Sequence, residues 1–205
     1  LYKCQSAKIS STMIARTHDL AAFTALGVVF LLLPPQSMSL ATAIIAIIAN
    51  LIGGITPDID QPTAPLWRNL PIGKYFGKAF GALLGGHRFF THSILGLVAF
   101  GALSRFLLVF LHPIMPSVNI DIVWWAFMIG MLSHLVLDTL TKEGVPWLLP
   151  IPIKFGFSPF KKLRITTNAW TELWVVFPAL IAFNAWFYFV HYQELLYLLK
   201  FTIVY

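Results

Sequence analysis

Seven side chains in this sequence have the identity and spacing to hold metal: His18, Asp58, Asp60, His87, His92, His134 and Asp138. His134 and Asp138 stand four apart, so on a helix both point to one face. Asp58 and Asp60 stand two apart just after Pro57, where an extended backbone would aim both the same way. His87 and His92 are five apart, about 140° around an ideal helix, and would not share a face if both were helical. We therefore expect His87 on a loop and His92 in the first turn of a helix, with Thr91 or its neighbour as the cap. Imidazole with carboxylate suits zinc, and manganese or iron would also fit. Seven ligands exceed one tetrahedral site, which points to two or more ions.

The elements that must position these groups follow from composition. Of 205 residues, 58% are hydrophobic and only 11% charged, with a mean hydropathy of +0.79. A soluble chain carries roughly 25% charge, so the solvent around the middle of this one is lipid. That excludes a soluble enzyme, a disordered regulator and a secreted disulfide scaffold, and the single cysteine, Cys4, has no internal partner. The net charge of +6 would suit nucleic acid. In a chain this apolar it more naturally marks a membrane face beside anionic lipid, so the bilayer is the expected partner and nucleic acid is not. The expected fold class is an all-α integral membrane protein with about five transmembrane helices and one or two interfacial or re-entrant helices. Residues 1–12 are polar, precede Met13, and read as a foreign or disordered N-terminus; residues 13–205 read as one membrane-embedded helical domain.

Five segments reach the roughly 20 apolar residues that a span needs: about Thr17 to Leu33, Ser39 to Ile55, His92 to Leu111, Asp121 to Leu140, and Glu172 to Val190. Prolines close the first three, and Pro178 is a candidate kink in the fifth. The stretch from Trp67 to Leu84, with Gly73, Gly77 and Gly81, reads as an interfacial or re-entrant helix, and that from Val145 to Trp170 looks similar. The loops at 34–38 and 112–120 carry no Lys or Arg. The other two carry Arg68, Lys74, Lys78 and Arg88, then Lys142, Lys154, Lys161, Lys162 and Arg164. The positive-inside rule then places the N-terminus and both long loops in the cytoplasm and the C-terminus outside, in an inner (cytoplasmic) membrane.

On that topology all seven candidate ligands fall at the cytoplasmic level, although they come from distant parts of the chain. Each has an ordinary reading as well. A lone histidine at a helix end hydrogen-bonds at the interface, and we read His112 and His191 that way. Asp-Ile-Asp alone caps a helix, and His134 with Asp138 alone is a bonded pair. Ionisable groups inside a membrane are costly and by default mark function, so seven at one level point away from a purely structural role.

The ordered motifs Pro57-Asp58-Ile59-Asp60, His87-Arg88-x-x-Thr91-His92-Ser93 and His134-x-x-x-Asp138-x-Leu140-Thr141-x-x-Gly144-Val145-Pro146 resemble the YdjM-like family. That is a family of bacterial and archaeal inner-membrane-associated proteins classed as metal-dependent hydrolases, some under control of the LexA repressor. The resemblance covers roughly His18 to Pro150 and departs where the family has Gly after the His-Arg pair and this chain has Phe89. It is similar at a further remove to zinc-dependent phospholipase C and single-strand nucleases, which implies phosphoester hydrolysis.

The chemistry expected of such a site uses two metals to bind phosphate oxygens and activate a water, with Asp58 or Asp60 as general base. Arg88 is the candidate phosphate clamp, its other reading being a positive-inside anchor. Lys161, Lys162 and Arg164 would attract anionic headgroups, and Glu172, ahead of Glu143, would serve as an extra ligand or orient a ligating histidine. A site at the membrane interface favours a lipid substrate. The competing expectations are a metal transporter or sensor without hydrolytic activity, and a scaffold whose metal only staples helix ends.

Overall fold

The computed structural model describes residues 2–86, 89–141, 143–151, 153–157 and 169–204, without the side chains of residues 2–15, 65, 169 and 201–204. Helix α1 (Tyr2–Leu32) ends before Pro34-Pro35. Helix α2 (Leu40–Ile55) opens on Ser39, whose hydroxyl accepts from the Thr42 amide at 3.2 Å, so that one of the unpaired first-turn donors is satisfied. A 3-10 turn, Thr56–Asp60, carries the Pro-Asp-Ile-Asp motif off its end. Two short helices follow, α3 (Pro65–Arg68) and α4 (Gly73–Leu83), then α5 (Ile94–Leu111) and α6 (Ile120–Thr139). The last part is α7 (Ala169–Thr171), a π-turn at Glu172–Val176, α8 (Phe177–Val190) and α9 (Tyr192–Val204).

Among the described residues no strand forms, only an isolated bridge between Val145 and Phe155. Among the described residues, four helical segments are long and apolar enough to cross a membrane: Leu40–Asp60, Ile94–Ile114, Ile120–Thr139 and Glu172–Val190. The expected first span lies within α1, whose described side chains begin at Arg16. Helices α1, α2 and α6 pack together, with α5 against α6 and α8 against α1. Leu26, Ala46, Val118, Val123 and Ala126 form an apolar core. It fills the half of the bundle away from the ends that carry the His and Asp residues.

The closest pair, α2 and α6, meets through glycines. A Cβ on Gly53 would collide with the Phe127 carbonyl, and one on Gly130 with the Asn50 carbonyl. Backbone thus lies on backbone, one helical turn before His134. Asn50, fully buried, donates to the Ala126 carbonyl at 3.0 Å across the same seam.

Three elements differ from expectation. Helix α5 starts at Ile94 rather than His92, because Ser93 is the cap and accepts from the Gly96 amide at 3.1 Å. Residues 145–151 and 153–157 form turns and a bridge and no helix, since Pro146 and Pro150 each remove a backbone donor. The last apolar stretch breaks at His191, and a π-turn directly precedes Pro178. Pro178 stands at the start of α8, where its missing N–H would otherwise have bonded the Trp174 carbonyl, and the turn before it is widened.

Candidate metal centre

Five of the seven candidate ligands converge: His18 from α1, Asp58 from the turn after α2, His92 from the residue before the α5 cap, and His134 and Asp138 from α6. Nearly all of this is buried: His92 has no exposed area, His134 and Asp138 are 1% exposed, and His18 is 4%. Asp58 is the partly open member, its side chain 20% exposed.

Asp138 is the hub. Its Oδ2 lies 3.3 Å from His92 Nε2 and 3.7 Å from His134 Nε2, and its Oδ1 lies 3.5 Å from His18 Nε2. Asp58 Oδ1 adds contacts at 3.8 Å to His134 Nε2 and 3.9 Å to His92 Nε2. The His18 ring stacks on the His134 ring with centroids 3.9 Å apart. Two ligand atoms each about 2.1 Å from a tetrahedral zinc ion lie about 3.4 Å from one another. The observed separations of 3.3–3.9 Å match that requirement with little adjustment, so the residues fit a divalent ion. The donors group as His18, His134 and Asp138, and as Asp58, His92 and His134.

The tautomers are set from outside the cluster. His134 Nδ1 lies 2.6 Å from the Gly54 carbonyl; a carbonyl only accepts, so Nδ1 carries the proton. In the neutral ring Nε2 is then a lone pair, buried without a hydrogen-bond partner and facing two carboxylates. Lone pair against anion is repulsive unless a cation lies between them. His92 is oriented by a longer chain. The Thr91 hydroxyl donates to Asp60 Oδ2 at 2.6 Å, which leaves it to accept from His92 Nδ1 at 2.9 Å. His92 Nε2 therefore also faces the centre. Burial holds the His92 imidazole below its ordinary pKa, against a hydrogen bond with Asp138 that works the other way, and a neutral ring is the form that ligates.

Asp60 therefore stands behind His92, where it steers the ring through Thr91. Glu172 is buried at the start of the π-turn and hydrogen-bonds with Thr17, next to His18. Glu143 is exposed on the turn after α6. His87, Arg88, Lys161, Lys162 and Arg164 lie outside the described residues. His112 is exposed, and His191 pairs with Glu194 at 3.8 Å and packs on the Phe187 ring. Motif spacing alone passes over the Gly54 carbonyl and the Thr91 relay. Thr91 sits inside a quoted motif and was legible only as a cap. Asp19, half-buried beside His18, is also missed by spacing.

A cavity of about 40 Å³ reaches the cluster, lined by His18, Asp58, His134, Gly54, Ile55, Ala64 and, from α3, Leu66. It has room for at least one water. One wall is ligating and the other apolar.

The family model described as YdjM inner membrane protein matches residues 13–204. An uncharacterized protein YvsG of Bacillus subtilis is 30% identical over 149 residues, 72% of this chain and 81% of the relative. The inner membrane protein YdjM of Escherichia coli is 37% identical over 102 residues, 49% of this chain and 47% of the relative. The inner membrane protein YbcI of the same organism is 28% identical over 123 residues, 59% and 62% of the two chains. No solved structure matches.

Proposed function

The chain belongs to the YdjM family of inner membrane proteins, and on that premise we propose a membrane-bound, metal-dependent hydrolase that cleaves a phosphoester in a lipid at the cytoplasmic face. The observation that carries the reading is the aim of His134, whose Nε2 is turned by the Gly54 carbonyl onto Asp58 and Asp138. A structural pair would bring nitrogen and carboxylate within hydrogen-bond reach. Here both carboxylates stand 3.7–3.8 Å from Nε2, a separation that suits ligands of one ion.

His92, His134, Asp58 and Asp138 would hold one ion. A second ion would draw on His18 and the other Asp138 oxygen beside His134, with zinc the best match to the donors and manganese or iron the next. A divalent cation bound there supplies Lewis-acid polarisation of a phosphoryl oxygen and a lower pKa for an attacking water. Asp58 is the most exposed of the ligands that line the cavity, so it is the group best able to accept a proton from that water. Asp60 and Thr91 keep His92 in its ligating tautomer through the cycle. Ile55, Ala64 and Leu66 exclude bulk water from the opposite wall and would meet the first methylenes of an amphiphile, which favours lipid over a soluble nucleotide.

The test is metal analysis of detergent-purified protein beside His134→Ala, followed by a phospholipid phosphoesterase assay. Zinc held by the wild type and lost with turnover in the variant is the expected result. Wild-type protein that neither holds nor takes up zinc or manganese overturns the reading. Metal held without turnover, together with metal flux in proteoliposomes, would favour the transporter alternative instead.

A further inference from the structure

Helix α4 presents two unlike faces. Gly73, Gly77 and Gly81, one per turn, form its buried face. A Cβ on Gly81 would sit 2.7 Å from the Asp60 carbonyl oxygen, and one on Gly77 would sit 2.7 Å from Pro62 Cα and 2.8 Å from the Trp67 ring. The helix therefore lies directly on the turn that carries Asp58 and Asp60. Trp67 fastens the arrangement: its indole N–H donates to the Ile59 carbonyl at 2.8 Å, and its ring stacks on Phe80 with centroids 5.4 Å apart. On the opposite face, Tyr75 is 75% exposed and Leu83 80%, with Lys74 and Lys78 beside them, also exposed, while Phe76, about half exposed, stacks on the Trp67 ring with centroids 6.3 Å apart. The loop that contains α4 leaves the membrane at the end of one span and re-enters at the start of the next, α2 and α5, so both its ends are pinned to one leaflet.

The geometry points to α4 as a membrane-engaged lever: its Tyr75–Leu83 face inserts into the leaflet on the side of the metal centre, Lys74 and Lys78 pair with anionic headgroups, and the glycine face holds the Asp58–Asp60 turn in its ligating position. An aromatic and aliphatic face flanked by lysines is the composition of an interfacial helix, and each lysine near an anionic surface adds to its hold. A glycine contact transmits displacement because no side chain stands between helix and turn to yield. The zinc arm of the test rests on the metal reading above; the other two arms do not.

The experiment uses the full chain in nanodiscs of phosphatidylcholine, with and without phosphatidylglycerol. An environment-sensitive fluorophore is placed at Leu83→Cys in a Cys4→Ser background, and the double variant Tyr75→Asp/Ala79→Asp, which leaves the Trp67 stack in place, is compared with the same chain without it. Wild-type α4 should place the label in an apolar setting, quenched by a shallow spin-labelled lipid, more strongly with phosphatidylglycerol. The double variant should move the label to water, speed amide exchange over residues 56–62 about tenfold, and weaken zinc binding by about tenfold, as loss of an outer support does. Tyr75→Phe should behave as wild type. A label in water in the wild-type lipid setting overturns membrane engagement. A label that moves while exchange over residues 56–62 stays the same overturns the coupling. Protein that holds no zinc in either form defeats the metal reading, and the label and exchange measurements still decide the lever.

Discussion

Thr91 carries more of the site than its type suggests. One hydroxyl hydrogen goes to Asp60, one lone pair receives the His92 proton, and the ring is left with its bare nitrogen toward Asp138. Thr91→Val keeps the shape and removes both bonds. Metal titration should show zinc affinity lower by about 10–100-fold, whereas Thr91→Ser should hold close to wild type. His92 also sets a pH dependence. Burial keeps its folded pKa below the unfolded value near 6.5, so the unfolded chain takes up a proton before the folded one does. The stability this contributes is present above about pH 6.5 and declines as pH falls toward the folded pKa. Thermal melts of chelated protein at stepwise lower pH should show that decline, and His92→Gln should remove this part of it.

At the scale of elements, the α2–α6 seam determines whether His134 can reach Gly54. Gly53 and Gly130 let the two backbones touch, and the histidine lies one turn beyond that contact. Gly130→Ala puts a methyl against the Asn50 carbonyl and must separate the helices. Destabilisation of about 1–3 kcal/mol is expected from the overpacking, read as a lower melting temperature in detergent. Zinc affinity should fall with it, because the Nδ1 bond that fixes the tautomer lengthens. The same scale explains where sequence periodicity misplaced an element. An apolar run shows that a helix exists but not its first residue, and at α5 a single hydroxyl, Ser93, moved the start past His92. That shift matters to the site: a residue ahead of the cap is free of helical geometry, so His92 can turn toward α6 while its neighbour Thr91 reaches Asp60.

At the scale of the whole molecule, four separate stretches of chain end in one buried polar cluster, inside a bundle whose other half is apolar. An ion there would tie α1, α2, α5 and α6 together. Zinc at about 100 times its dissociation constant should stabilise the fold by about 2.7 kcal/mol, and chelation should lower the melting temperature of the wild type but not of Asp138→Asn. The membrane class, the order of the apolar helices and a set of seven His and Asp candidates, five of which meet in the folded chain, were legible from the residues alone. Composition and period suffice for that, because lipid demands continuous apolar helices and makes each ionisable residue conspicuous. The roles within the cluster were decided only by tertiary structure. Asp58 and Asp60 are chemically identical and two residues apart, yet one opens to the cavity and the other is spent on Thr91. A carbonyl from α2, invisible as a motif, chooses the tautomer of His134. Spacing is a local property of the chain, whereas a tautomer or a ligand angle depends on what a distant helix places on the far side of the ring.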